Sequence, residues 1–82
     1  MNSGFAKYDN GDNAGAVTDL TTVIKLNPND FRTYYKRGMA KCKLGDYAGA
    51  IADYNTVIEL NPQYAEAYTN RDFAKQRIGG NQ

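Results

Sequence analysis

The chain has no histidine, a single cysteine and only two prolines. Without histidine it lacks the commonest general base near neutral pH and the commonest metal ligand. The lone Cys42 excludes an intramolecular disulfide and has neither a histidine to activate it nor a second thiol to share a zinc ion. A structural role is the simpler reading. Small secreted domains are as a rule rich in cysteine, so this usage favours a reducing, cytoplasmic location. Charge of one sign is also missing. Ten basic and nine acidic residues leave a net +1, which is not the basic excess of a nucleic-acid binder. No apolar run is long enough to cross a bilayer, and the opening MNSGFAKYDNG has no signal-peptide core.

Several short motifs fail on inspection. GFAKYDNGDNAG is rich in glycine, but it lacks the lysine–hydroxyl pair of a P-loop and no strand precedes it. Asp9, Asp12 and Asp19 lack the terminal glutamate of a calcium-binding loop. The Asn-Gly-Asp at residues 10–12 is better read as turn chemistry. No catalytic constellation is found, so the expectation is no enzyme and no cofactor.

What is present is a repeat. KLGDYAGAIADYNTVIELNP at 43–62 has an earlier partial copy, DNGDNAGAVTDLTTVIKLNP, at 9–28. Gly45, Ala50, Val57 and Pro62 each stand 34 residues after Gly11, Ala16, Val23 and Pro28. A fixed period of this size marks a repeat architecture.

Apolar residues at Tyr47, Ala50, Ile51, Tyr54, Val57, Ile58 and Leu60 step by threes and fours, placing most of them on one helical face. Gly45 suits a left-handed helix end, Asp46 an N-cap, and Asn61 before Pro62 a stop. The same logic predicts a helix over about 13–26. Asp30 opens another over about 31–44, with strand as the alternative because Phe31, Tyr34 and Tyr35 lie close together. A third version, YAEAYTNRDFAKQRIGG, starts near Ala65 and ends before Gly79. Connections of about two to four residues suit antiparallel neighbours.

This 34-residue helix–turn–helix unit resembles the tetratricopeptide repeat. The central unit is similar throughout its length, through Tyr34, Gly38, Leu44, Gly45, Asp46, Tyr47, Ala50, Tyr54 and Pro62. The first unit matches through Gly4, Gly11, Ala16, Val23 and Pro28, and the third through Tyr68, Ala74 and Gly79. The resemblance implies an all-α fold, a short right-handed α-solenoid of about two and a half units. Residues 1–30 form a truncated first repeat, 31–64 a complete second, and 65–82 a half repeat or capping helix.

It also implies roles. Gly38 and Ala50 lie where the first (A) and second (B) helices of one unit cross, as do Gly4 and Ala16 in the first unit. Tyr34, Tyr54 and Leu44 fill the space between helices. Asp72 replaces the glycine of Gly4 and Gly38, and the polar last helix reads as a solvating cap. Asn10 and Asn13 replace the apolar pair Leu44 and Tyr47, which loosens the first hairpin.

In the family the A helices line a concave groove that holds ligands. Carried over by position, the first unit contributes Phe5 and Tyr8. The second contributes Arg32, Tyr35, Lys36, Met39 and Lys43. The third contributes Asn70, Phe73 and Arg77. Phe5, Met39 and Phe73 form an apolar column flanked by Arg32, Lys36, Lys43 and Arg77, suited to an extended peptide or a helix. The competing reading is that the column completes packing between A helices and the cations are solvated surface. Some family members clamp a C-terminal carboxylate; Asn2, Arg32 and Lys36 fall at some of those positions, and the remaining Lys and Asn have no match. The expected partner is a protein or peptide, with no nucleic acid and no membrane. The alternative is self-association, as a homodimer, through a face around Val17, Leu20 and Ile24.

Overall fold

Aspartates set where the helices begin. The Asp12 carboxylate accepts from the Gly15 amide at 3.2 Å, and Asp46 accepts from Gly49 at 3.0 Å, 34 residues later. Asp30 accepts from Arg32 at 3.1 Å. Each caps an amide that the helix itself leaves unpaired. The computed structural model describes residues 12–79, and these form α1 (Asn13–Leu26), α2 (Phe31–Lys43), α3 (Tyr47–Leu60) and α4 (Ala65–Gly79). There is no strand among the described residues.

The helix ends repeat as faithfully as the starts. The Asn27 amide donates to the Val23 carbonyl at 2.8 Å, and the Asn61 amide to the Val57 carbonyl at 2.7 Å. Each turn then closes alike, Asp30 onto Asn27 and Tyr64 onto Asn61. The α2–α3 turn differs. Gly45 adopts φ +85°, and the Asp46 amide reaches back to the Lys41 carbonyl at 2.8 Å. This left-handed closure satisfies the last carbonyls of α2 and is open to glycine without strain.

Each helix packs on its neighbours in sequence, α1 on α2, α2 on α3, α3 on α4. With such short turns the chain reverses at every step, giving a helical repeat solenoid of about two and a half units. The contact surfaces are built largely from alanine. Ala16, Ala40, Ala50, Ala67 and Ala74 are each no more than 2% exposed. Side chains this small let helix axes approach closely.

Gly38 shows the limit of that approach. A Cβ placed there would stand 2.8 Å from Cε1 of Tyr54. The Tyr54 ring therefore lies on bare α2 backbone and is 1% exposed. Of the three residues expected to fill the space between helices, only Tyr54 is enclosed. Tyr34 is half-buried, and its hydroxyl donates to the Pro28 carbonyl at 2.8 Å. Tyr68 repeats this bond to the Pro62 carbonyl at 2.8 Å. Leu44, at 49% exposure, fills nothing; the turn at Gly45 leaves it at the surface. Leu20 is buried and Val17 and Ile24 are half-buried, so much of the face considered for self-association is already covered within the chain.

Candidate interaction groove

An ion pair that the sequence reading did not identify fixes how α2 sits on its neighbours. Asp53, on α3, is 3% exposed. Arg37 grips it with two hydrogen bonds, Nε to Oδ2 at 2.9 Å and Nη2 to Oδ1 at 2.7 Å. Lys41 adds Nζ at 3.4 Å from Oδ2. The other arm of the guanidinium, Nη1, donates to Thr21 Oγ1 on α1 at 3.1 Å. One side chain of α2 thus ties three helices together. The hydrogen bond to Asp53 holds the Arg37 guanidinium even more firmly protonated than usual. The missed signal lay in Asp53 itself, a charge set among Ala50, Tyr54 and Val57 on the apolar stripe.

With α2 held from one side, its other face stands beside α4. Asn70 Nδ2 on α4 donates to the Tyr35 hydroxyl on α2 at 2.6 Å. Tyr35 also meets the ring of Tyr64 edge-on, with centroids 5.1 Å apart, and Tyr64 meets Phe31 in the same manner at 5.1 Å. Burial raises the pKa of the Tyr35 phenol, so it stays neutral. Tyr35 and Asn70 are thereby joined to each other and form a floor between the two helices.

Lys36, Met39 and Lys43 do come together. They line an open cleft of about 220 Å³ with Ala40 and with Asn13 at the start of α1. Met39 is 39% exposed and Ala40 only 2%, so the cleft has an apolar base under two exposed ammonium groups. Arg32 lies outside this lining, with its guanidinium 5.5 Å from the Phe31 ring centroid. Phe73 is 51% exposed on α4. Arg77 stacks between the Phe73 ring at 5.6 Å and the Tyr47 ring at 5.9 Å. The ten candidate groove residues therefore fall into several local groups. Phe5 and Tyr8, with the packing position Gly4, lie outside the described residues.

Cys42 is half-buried and its sulfur lies 3.8 Å from the Tyr54 hydroxyl. Burial raises the pKa of this thiol, so it is held in the protonated, unreactive form. Burial likewise raises that of Tyr54. Among the described residues no group of His, Cys, Asp or Glu is arranged to hold a metal ion, and no helix is long and apolar enough to cross a membrane.

A search of curated proteins returns no match. A family model described as TPR repeat matches residues 4–45 and again residues 38–79. The two matches together span nearly the whole sequence, and their overlap covers the end of α2 and the Gly45 turn, where one helix pair gives way to the next. TPR repeats are non-catalytic scaffolds that as a rule bind other proteins. With its paired helices, its alanine-lined crossings and its period of 34, the chain belongs to the TPR repeat family.

Proposed function

We propose that the chain is a protein-interaction module that holds an acidic, partly apolar peptide or helix against the side-by-side faces of α2 and α4. One observation carries this reading: Met39 stands exposed in a cleft between Lys36 and Lys43, in a chain whose four arginines are each engaged by a carboxylate or a ring. An apolar side chain of the partner enters over Met39 and Ala40. Carboxylates of the partner meet the two ammonium groups and set its direction. In this reading Phe73 and Arg77, a separate exposed group on α4, make a second contact with the partner, and the Tyr35–Asn70 hydrogen bond joins the two helices. In this reading the units divide at residues 30/31 and 64/65, so that α2 and α4 are the A helices of successive units.

The test is selection from a displayed peptide library, followed by affinity measurements on the winners. Selected peptides are expected to be acidic and to carry at least one large apolar residue. Met39→Asp is expected to weaken them by about 1–3 kcal/mol, roughly tenfold or more. Lys36→Ala with Lys43→Ala slows association and flattens the salt dependence. Glu59→Lys, on the exposed end of α3, leaves affinity unchanged. Retained affinity in Met39→Asp, with unchanged circular dichroism, rejects the groove.

A further inference from the structure

The second unit has a ring where the cleft of the first has open space. The cleft residues Asn13, Lys36, Met39, Ala40 and Lys43 have counterparts 34 positions on at Tyr47, Asn70, Phe73, Ala74 and Arg77. The base is alike in both sets, since Ala40 and Ala74 are both buried. The column residue is large and exposed in both, Met39 at 39% and Phe73 at 51%. A cation follows four residues later in each, Lys43 and Arg77. The sets part at their first member. Tyr47 begins α3 and lays its ring 5.9 Å from the Arg77 guanidinium, which lies 5.6 Å from the Phe73 ring on its other side. Tyr47 is half-buried in this stack. Asn13 begins α1 at the equivalent position, with a short side chain and no ring to set against Lys43. In the first unit that place belongs to the open cleft of about 220 Å³. An apolar cavity of roughly 150 Å³ holds a benzene molecule, so the cleft has room for one aromatic side chain.

We propose that the Lys36–Met39–Lys43 cleft is an aromatic-anchor site, and that it takes a tyrosine or phenylalanine of an acidic partner peptide in the way the second unit seats its own Tyr47. This rests on the reading above that the cleft receives a partner, and adds which side chain enters it. The ring lies over Ala40, with the Lys43 ammonium on its face as the Arg77 guanidinium is on that of Tyr47. Met39 brings a thioether, a favourable neighbour for a ring. Carboxylates beside the aromatic residue meet the exposed ammonium groups of Lys36 and Lys43. Lys36 stands where the second unit has the neutral Asn70, so the cleft adds a charge contact that its internal counterpart does without. An aliphatic side chain fills the same space and leaves the Lys43 charge without a ring face. The selectivity is therefore for aromatic over aliphatic residues in an acidic setting.

The probes are capped peptides Glu-Asp-X-Asp-Glu, titrated into the full 82-residue chain while the Met39 methyl resonance is followed by NMR. Peptides with X = Tyr or Phe are expected to bind about threefold to fivefold more tightly than X = Leu, the gain from a cation on a ring at an exposed site. Their ring currents are expected to move the Met39 methyl upfield, which the Leu peptide does not do. In the protein, Asn13→Tyr supplies the missing ring from within. It is expected to melt at a higher temperature than the parent and to bind the Tyr peptide about tenfold more weakly. Equal binding of the Tyr, Phe and Leu peptides, with Met39 shifted by all three, overturns the aromatic anchor and leaves the peptide cleft standing. No shift at Met39 from any of the peptides overturns both. Undiminished binding of the Tyr peptide by a folded Asn13→Tyr variant also overturns the anchor. In the free chain, a nuclear Overhauser contact between the Met39 methyl and the ring of Phe5 or Tyr8 gives the cleft to the chain's own first residues, and the assignment to a partner falls.

Discussion

Replacing Asp53 by Asn removes one charge and almost no volume, so its effect isolates the buried ion pair. The side chain of Asp53 is 4% exposed, against 17% for Arg37 and 20% for Lys41. Two short hydrogen bonds and a second cation at 3.4 Å converge on it. Breaking a fully buried pair by removing one partner typically costs about 3–5 kcal/mol, mostly because the other charge is stranded. Here both cations retain some contact with water, and the Asn oxygen still accepts one hydrogen bond. The expected loss is therefore smaller, about 2–4 kcal/mol. A chain of 82 residues has a total stability of roughly 4–12 kcal/mol, so Asp53→Asn leaves the protein marginal. Its melting temperature should fall by about 10 °C or more. The companion variant Arg37→Met/Asp53→Met removes the stranded guanidinium as well, and is expected to be more stable than Asp53→Asn alone. Urea unfolding followed by circular dichroism measures both. An Asp53→Asn variant within about 0.5 kcal/mol of the parent would refute the reasoning, as would a double variant whose loss equals the sum of the single ones.

Two further outcomes follow from the same packing. Gly38→Ala sets a gain in helix propensity of about 1 kcal/mol against overpacking of about 1–3 kcal/mol. Tyr54 is held by Cys42 and Tyr35 and has little room to give way, so net destabilisation is expected in thermal melts, and a more stable variant would contradict the seating of the ring. Stability should also fall in alkali. Cys42, Tyr35 and Tyr54 all have folded pKa values raised above their ordinary 9.0, 10.0 and 10.0. Each holds its proton more tightly when folded, so its contribution is complete below the ordinary value and is lost as pH rises above it. Denaturant midpoints are expected to be level up to pH 8 and to decline above about pH 9, less steeply in Tyr54→Phe.

The helix boundaries were legible because local chemistry dictates them. Asp30 and Asp46 are caps in the sequence and caps in the structure, Asp12 repeats Asp46 one period earlier, and Asn27-Pro28 and Asn61-Pro62 stop helices in both. The left-handed Gly45 was legible for the same reason. The repeat period also carried the fold, since one unit read correctly fixes its copies. What depends on several helices at once was harder to read. Arg37 and Lys41 look like surface cations until α3 delivers Asp53 between them. Tyr35 looks like a ligand contact until α4 brings Asn70 to its hydroxyl. Leu44 was expected inside because it is apolar, but its place just before the Gly45 turn holds it at the surface.

The same period sorts the cations by what they meet. Arg37 and Lys41 face a carboxylate within the chain, while Arg71 stacks on the Tyr68 ring and donates to Asn55. Lys36 and Lys43 flank Met39 on the opposite side of the paired helices, where nothing of the described chain covers them. Charge that looks evenly mixed in the composition is thus distributed by structural position, part of it holding helices together and part of it directed outward.

The central claim is that the paired faces of α2 and α4 receive a partner chain. Chemical-shift mapping with a library-selected peptide tests it most directly. The account predicts that backbone amide perturbations concentrate at Lys36, Met39, Ala40 and Lys43 on α2 and extend to Asn70 and Phe73 on α4. Perturbations gathered instead around Ala48, Ala52, Asn55 and Glu59, on the exposed side of α3, would contradict it.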